Sequence, residues 1–184
     1  MVSPFLERVP VPTSTRLTLA EYTAALLVRN PQYLERITQF HRENNQIESS
    51  TLAKNSALEN MLFLFDRYRK VIAKSEFVFV KRRDSREFLF SDSGITAEEP
   101  WNGGPVPFDI HVPLTPDLSL EVLPVPDPVN LRYSFVSRTT NEGTTRFNRI
   151  AVGSARRFVF SRTPGPSEFV KKYFGVPAPK AYAF

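Results

Sequence analysis

The pattern of apolar residues changes abruptly near residue 75, and this change limits the folds open to the chain. Before it, apolar side chains recur at helical spacing, most clearly over residues 49–74, which contain no Gly or Pro. After it, short Phe- and Val-rich segments alternate with polar residues between turn-forming stretches. The pattern predicts an α+β protein in which N-terminal helices pack on a mainly antiparallel sheet.

We predict a single domain of 184 residues. Its parts are an extended arm (1–16), a helical part (17–75), a sheet part (76–162) and a C-terminal helix with a tail (163–184). Thr18-Leu-Ala-Glu21 has the form of a capping box and predicts a helix to about Arg29. Asn30-Pro31 predicts the start of a second helix, and residues 49–74 form the third. Its apolar stripe is Leu58, Met61, Leu62, Phe65, Tyr68, Val71 and Ile72.

Two hairpins are expected in the sheet part. The first joins strands 76–81 and 86–91 through a turn at 82–85. The second joins strands 108–112 and 118–123, with Pro113 and Pro116 at the ends of a tight connection because proline cannot donate to a central ladder. The remaining expectations are a loop (93–107), a strand (131–137), a helix (144–155), a strand (157–161) and a helix closed by glycine (166–175).

Charge is distributed unevenly along the chain. Residues 1–128 carry 14 basic and 17 acidic side chains, whereas residues 129–184 carry 10 basic and 2 acidic ones, which gives a net charge of +8 there. A basic C-terminal third suits phosphate, nucleic acid or an acidic partner, and it equally suits a solvated face. The chain contains no Cys, which excludes disulfides, thiolate catalysis and Cys-based metal sites.

Four short motifs follow one another in the second half of the chain. They are Phe88-Leu-Phe-Ser-Asp92, Val112-Pro-Leu-Thr-Pro116, Arg146-Phe-Asn-Arg149 and Arg157-Phe-Val-Phe-Ser161. This order resembles the bacterial and phage family known as domain of unknown function 4238. The matching residues are Ser91-Asp92, Pro113-Leu-Thr-Pro116, Asn148, and Ala155 with Arg157-Phe-Val159. The likeness spans about residues 18–162.

Two features depart from the pattern of that family. Ser93-Gly94 stand where the family has Asn-Pro. Family members also begin with a His-x-x-Pro-x-x-Tyr-Leu segment upstream of the helices, and this chain has none. If that histidine is catalytic in the family, the resemblance implies a fragment, an inactive relative or a binding module.

Asp92 and Asn148 are the candidate catalytic residues. Asp92 ends an apolar strand, where a carboxylate serves as a base or simply bonds the next amides of a loop. Asn148 interrupts a helix, where it either bonds a backbone turn or faces a ligand. A polar pocket shared by the two would explain both positions. Around it, the candidate binding residues for an anion are Arg146, Arg149, Arg157 and Thr115.

Two weaker patterns remain. A nucleophilic set of Ser91, His111 and Asp92 can be drawn, but nothing resembles a nucleophile elbow. Residues 80–83 beside Phe77 and Phe79 are similar to the basic and aromatic surfaces that bind RNA, but the two Phe side chains are expected in the core.

We expect a domain that binds a protein or another macromolecule, in a defence or toxin–antitoxin context implied by the genomes that carry the family. One alternative is a hydrolase or nuclease acting on a phosphate-bearing substrate, and another is nucleic-acid binding by the basic C-terminal third. No cofactor or metal is expected. No apolar run has the roughly 20 residues of a membrane span, and the first residues do not resemble a signal peptide, so a cytoplasmic location is expected.

Overall fold

The computed structural model describes residues 7–29, 39, 43, 50–98, 108–123, 133–164 and 166–176. The chain divides into two compact units, one formed by Pro12–Lys74 and the other by Met1–Val11 with Ser75–Phe184. The described elements are β1 (Glu7–Pro10), α1 (Thr13–Arg29), α2 (Ser50–Ala73), β2 (Glu76–Arg82), β3 (Phe90–Ser91), β4 (Thr96–Glu98), β5 (Phe108–Thr115), β6 (Leu118–Leu123), β7 (Tyr133–Thr139), α3 (Asn141–Ser154), β8 (Val159–Phe160) and α4 (Ser167–Tyr173).

Helices α1 and α2 pack against each other in the first unit. Ala20 and Ala24, one turn apart on α1, are fully buried, and so is Ile72 on α2. Arg69 of α2 holds the pair together at the surface, since it bonds Glu21 of α1 at 3.2 Å and Asp66 of its own helix at 2.7 Å. The stripe predicted for α2 is buried only toward its C-terminal end, because Leu58 and Leu62 are exposed.

The predicted start of the first helix at the capping box was wrong, and part of the predicted extended arm is a strand. Glu7–Pro10 form a strand of the sheet, and α1 begins at Thr13. The carbonyl of Pro12 accepts the first helical bond from Arg16 at 3.0 Å, and the Thr18 hydroxyl donates to the Ser14 carbonyl inside the helix. The second predicted helix, from Asn30-Pro31, lies outside the described residues apart from Gln39 and Glu43. The third agrees with α2 to within one residue at each end.

The second unit contains a six-stranded sheet of order β1-β7-β2-β6-β5-β4. All its neighbouring strands run antiparallel except β2 and β7. The α+β class and the mainly antiparallel sheet are therefore confirmed. The packing of the N-terminal helices on that sheet stays a prediction.

Of the two predicted hairpins, one is confirmed. Strands β5 and β6 pair antiparallel around a turn that contains Pro116. The predicted position of Pro113 at the end of the connection was wrong, because β5 continues to Thr115 and Pro113 lies within it, opposite Ser119 next to a bulge. The other hairpin was wrong: β2 pairs with β6 and β7, and only residues 90–91 of the predicted second strand form a strand, paired with β8. Both edges of β2 are already occupied, so residues 86–89 must find other backbone partners. Residues 96–98, predicted as loop, form edge strand β4.

Helix α3 packs on one face of this sheet. Val78 and Val80 of β2 form a buried cluster with Phe88, and Leu123, Phe135 and Phe147 pack against it. Phe147 comes from α3, so its burial orients the polar face of that helix. The helix begins with Thr140 as its cap, whose hydroxyl accepts from the Gly143 amide at 3.4 Å.

Helix α4 ends at a glycine, as predicted. Gly175 follows the helix with a φ of 66°, a conformation that favours glycine because it has no Cβ. Among the described residues, no helix combines the length and the apolar character that crossing a bilayer requires.

Candidate functional site

An extended segment of residues 86–92 lies between the six-stranded sheet and α3. Its amides cannot join β2, so they bond elsewhere. The Phe88 amide donates to the carbonyl of Pro116 at 2.9 Å, and the Arg86 amide donates to Oδ1 of Asn141 at 3.2 Å. Buried backbone groups need such partners. We call this strip and the α3 residues that bond it the 86–92 clamp.

Asn148 is the centre of the 86–92 clamp. It is only 4% exposed, and its Oδ1 accepts from the Leu89 amide at 2.8 Å while its Nδ2 donates to the Glu87 carbonyl at 2.8 Å. One carboxamide therefore replaces the neighbouring strand that this segment lacks. A carboxamide suits this role because it carries a donor and an acceptor on one planar group at any pH near neutrality.

Two further polar side chains of α3 also bond the 86–92 segment. Asn141, Thr145 and Asn148 are spaced by four and three residues and share a helix face. Asn141 binds the Arg86 amide, and the Thr145 hydroxyl accepts from the guanidinium of Arg86. This polar stripe, which lies beside the buried Ala151 and Val152 of α3, thus bonds the 86–92 segment along its length.

Asp92, at the C-terminal end of the segment, forms hydrogen bonds with the residues that follow α3. Its Oδ1 accepts from the Arg156 amide at 2.9 Å, and its Oδ2 accepts from the Arg157 amide at 2.7 Å. The Asp92 amide donates to the carbonyl of Phe158 at 3.1 Å. Beside it, the hydroxyls of Ser91, Ser93 and Ser154 form a chain with separations of 2.5 and 2.9 Å.

Glu87 connects the segment to the turn after β8, and it was missed by sequence reasoning. The side chain is buried, and its Oε1 accepts from the Ser161 hydroxyl at 2.6 Å and from the Thr163 amide and hydroxyl at 3.1 and 2.9 Å. Burial alone would raise the pKa of Glu87, but these three donors and the Arg162 guanidinium hold it below its usual value. An alternating strand pattern carries no signal for such a buried carboxylate.

A cleft of about 280 Å³ opens beside Glu87 and Asn148. Its other lining residues are Ser85, Arg86, Leu89, Thr163, Pro166 and Phe169. Among the described residues, no three His, Asp or Glu side chains are grouped so that they could hold a metal ion.

Asn148 bonds the 86–92 segment to α3, whereas Asp92 bonds the end of that segment to the amides of Arg156 and Arg157, which follow α3. Both carboxylate oxygens of Asp92 and both polar atoms of Asn148 bond backbone groups more than 50 residues away in sequence. Hydrogen bonds to backbone groups therefore account for the presence of both residues at these positions, and no contact with a substrate is needed to explain them. A catalytic role for either residue stays a prediction.

The four predicted binding residues are dispersed. The Thr115 hydroxyl accepts from the Asp117 amide at 3.2 Å and so supports the turn. Arg149 lies over the ring of Tyr173, 4.8 Å from its centroid, and links α3 to α4. The charge of Arg146 acts on His111. Arg157 is exposed, and it immediately precedes Phe158.

His111 is buried against α3 rather than placed beside Ser91 and Asp92. Its ring meets Phe147 edge-on at 4.7 Å, and its Nε2 lies 3.8 Å from Oε1 of Glu121. The Ser91 hydroxyl bonds Ser93, so the nucleophilic set is not formed. Burial, together with the charge of Arg146, lowers the pKa of His111 to about 4.

Replacing His111 by Phe should remove a pH dependence of stability between about pH 6.5 and pH 4. Unfolded histidine takes up a proton near pH 6.5, whereas folded His111 does so only near pH 4. The unfolded state binds more protons in this range, so the free energy of unfolding of the wild type falls as the pH is lowered through it. Urea unfolding at pH 7 and at about pH 5 measures the difference. If the free energy of unfolding fell equally between the two pH values in the wild type and in the His111→Phe variant, the lowered pKa of His111 would be contradicted.

An exposed pair of aromatic side chains, Phe158 and Phe160, lies immediately before β8 and at its end. Phe158 and Phe160 are 57% and 56% exposed, and their ring centroids lie 6.1 Å apart at an interplanar angle of 32°. Phe90, the β3 partner of Phe160, is half-buried. Sequence reasoning recognised the strand but not this exposure, although the alternation of Arg157-Phe-Val-Phe-Ser161 places both rings on one face. By contrast, Phe77 beside residues 80–83 is fully buried.

Comparison of the chain with protein-family models, with curated proteins and with solved structures found no match. The resemblance to domain of unknown function 4238 therefore stays an expectation that rests on the four motifs. In this structure the motifs meet: the Ser91-Asp92, Pro116, Asn148 and Arg157 positions all bond residues of the 86–92 clamp or belong to it.

Proposed function

We propose that the protein binds single-stranded nucleic acid through Phe158 and Phe160 and the arginines beside them. The observation that carries the proposal is the exposure of both neighbouring rings, one just before β8 and one at its end. Large aromatic side chains are usually buried, and a neighbouring pair left in solvent marks an interaction surface. Proteins that bind single strands stack successive bases on such rings, because every base has a π-face.

The charge around β8 supports the same ligand. Arg156 and Arg157 precede the first exposed ring, and both are exposed. Their amides are held by Asp92, which sets the path of the chain into β8. The surrounding third of the sequence carries the net charge of +8. Phosphate contacts from arginine supply most of the affinity of sequence-independent nucleic-acid binding.

A protein partner, the first expectation from the sequence, is the second candidate. In the described part of the chain β8 pairs only with β3, so its other edge is open to an added peptide strand. The hydrolase alternative has less support, because the polar atoms of Asp92 and Asn148 are engaged by backbone groups.

The test is fluorescence anisotropy with a labelled oligouridylate of about 12 nucleotides, a length within the usual range for a single-strand site. Replacing Phe158 and Phe160 together by Ala should weaken binding by about 100-fold, since stacking contributes roughly 1–3 kcal/mol per base. Replacement by Leu keeps an apolar surface but removes the π-face, so it should also weaken binding.

The matched control is Phe63→Ala, because Phe63 on α2 is 65% exposed and belongs to the other unit. Its affinity should equal that of the wild type. If the wild type does not bind the oligonucleotide, or if the double Ala variant binds as well as the wild type, the proposal is wrong. Retention of binding by the double Leu variant would favour an apolar protein contact instead.

A further inference from the structure

The cleft of about 280 Å³ between the 86–92 segment and α4 has no part in the nucleic-acid proposal, because the exposed Phe rings do not line it. Its lining surface is mostly apolar: Leu89 comes from the segment, and Pro166 and Phe169 come from the start of α4. Small-molecule sites combine an apolar lining with a few polar groups, in volumes of roughly 300–1,000 Å³. A cleft just below this range fits a ligand built around one ring.

Arg86 supplies the cation of this cleft. The residue is exposed, and its guanidinium donates to the hydroxyl of Thr145, one turn before Asn148 on α3. Within the described ranges the Arg86 side chain forms no ion pair. A guanidinium carries five N–H donors in a planar fork, and this fork binds a carboxylate through two parallel hydrogen bonds. Arg86 is therefore available to bind the anionic group of a ligand.

Glu87, the other charged residue of the lining, is already engaged within the protein. Its Oε1 accepts three hydrogen bonds from Ser161 and Thr163, and its Oε2 is buried 3.7 Å from Nε of Arg162. The charge of Arg162 offsets that of Glu87. A single carboxylate in the cleft would match the single guanidinium of Arg86, whereas a phosphate dianion would leave one negative charge unbalanced near Glu87.

We propose that the cleft binds a small monocarboxylate that carries one planar apolar ring. The carboxylate pairs with Arg86, and the ring packs against Leu89, Pro166 and Phe169. The site is held in shape by Asn148, whose side chain bonds the Leu89 amide and the Glu87 carbonyl at 2.8 Å each. This inference is independent of the proposed function, because it concerns a second ligand and a different set of residues.

Titration of para-fluorobenzoate into the full chain, followed by fluorine NMR, tests the proposal. Binding should be saturable, with a Kd on the order of 1 mM for a ligand of about ten non-hydrogen atoms. Arg86→Gln should weaken it by about 10-fold, because it removes charge-assisted hydrogen bonds. The neutral analogue para-fluorobenzamide should bind the wild type more weakly than the benzoate does, and it should bind the Arg86→Gln variant as well as the wild type.

Two further variants locate the probe and control for charge. Phe169→Ala should weaken the binding of both probes, because it removes an aromatic ring from the lining of the cleft. Arg83→Gln is the matched control, since Arg83 is an exposed arginine that does not line the cleft. This variant should bind both probes as the wild type does. Circular dichroism melting shows whether each variant is folded.

The proposal is wrong if the benzoate signal changes linearly without saturation, or if Arg86→Gln weakens the binding of both probes equally. The wild type alone also tests it, because equal affinities for the benzoate and the benzamide would exclude a bound carboxylate. Tighter binding of para-fluorophenyl phosphate than of para-fluorobenzoate would overturn the choice of a monocarboxylate. Each of these contrary results would leave the proposed nucleic-acid binding by Phe158 and Phe160 standing.

Discussion

Replacing Asn148 by Ala should lower the free energy of unfolding by about 4 kcal/mol. The substitution removes two hydrogen bonds of 2.8 Å and leaves the Leu89 amide and the Glu87 carbonyl without partners in a buried position. Each unsatisfied buried backbone group costs roughly 1–3 kcal/mol. Ala is a better helix former than Asn, but this difference in helix propensity offsets less than about 1 kcal/mol of the loss.

Urea unfolding followed by circular dichroism measures the effect. Asn55→Ala is the matched control, because Asn55 is an exposed Asn within α2 and its replacement should change stability by less than about 0.5 kcal/mol. Asn148→Asp adds a second test. It keeps an acceptor for the Leu89 amide but removes the donor to Glu87 and buries a charge, so it should be destabilised as well. A variant of either kind as stable as the wild type would contradict the role of Asn148 in the 86–92 clamp.

Replacing Glu87 by Ala should lower the free energy of unfolding by about 3 kcal/mol. The Oε1 atom of Glu87 accepts three hydrogen bonds from Ser161 and Thr163, and its carboxylate lies 3.7 Å from Nε of Arg162. Hydrogen bonds to a charged group contribute roughly 1.5–3 kcal/mol each. The donors lie near the surface and can bond water instead, so the loss is smaller than the sum.

Glu87→Gln should remove part of the acid sensitivity of the protein. The pKa of Glu87 is lowered in the fold. Its contribution to stability is therefore present above the unfolded pKa of about 4.3 and is lost as the pH falls through the folded value. The free energies of unfolding of wild type and variant should converge at low pH. Glu168→Gln is the control, because that side chain is 85% exposed. A difference from wild type that is independent of pH would contradict the ionised state of Glu87.

Local patterns were sufficient for the elements whose partners are close in sequence. Helix α2, the β5–β6 hairpin, strand β7 and helices α3 and α4 all lie where periodicity and turn residues placed them. Helical spacing and alternation act within a few residues and can be seen in one segment. The same logic missed the start of α1, because the Pro12 carbonyl makes the first helical bond before the capping box.

The candidate site was predictable as a set of positions and not as a set of roles. The sequence indicated that Asp92 and Asn148 have a role beyond their own strand and helix, because neither element favours these residue types locally. Both do so by bonding backbone groups more than 50 residues away in the chain, which no local pattern reveals. The buried acceptor Glu87 stayed unnoticed for the same reason, since its donors lie 74 and 76 residues further along.

The amino-acid sequence by itself determined the α+β class, the position of most helices and strands, and the basic character of the C-terminal third. The tertiary structure decided which strands pair, because β6 and β7 occupy both edges of β2 and force residues 86–89 onto the polar face of α3. It also decided which Phe side chains are exposed. Phe77 and Phe160 both lie in alternating strands, but only long-range packing covers the first and leaves the second in solvent.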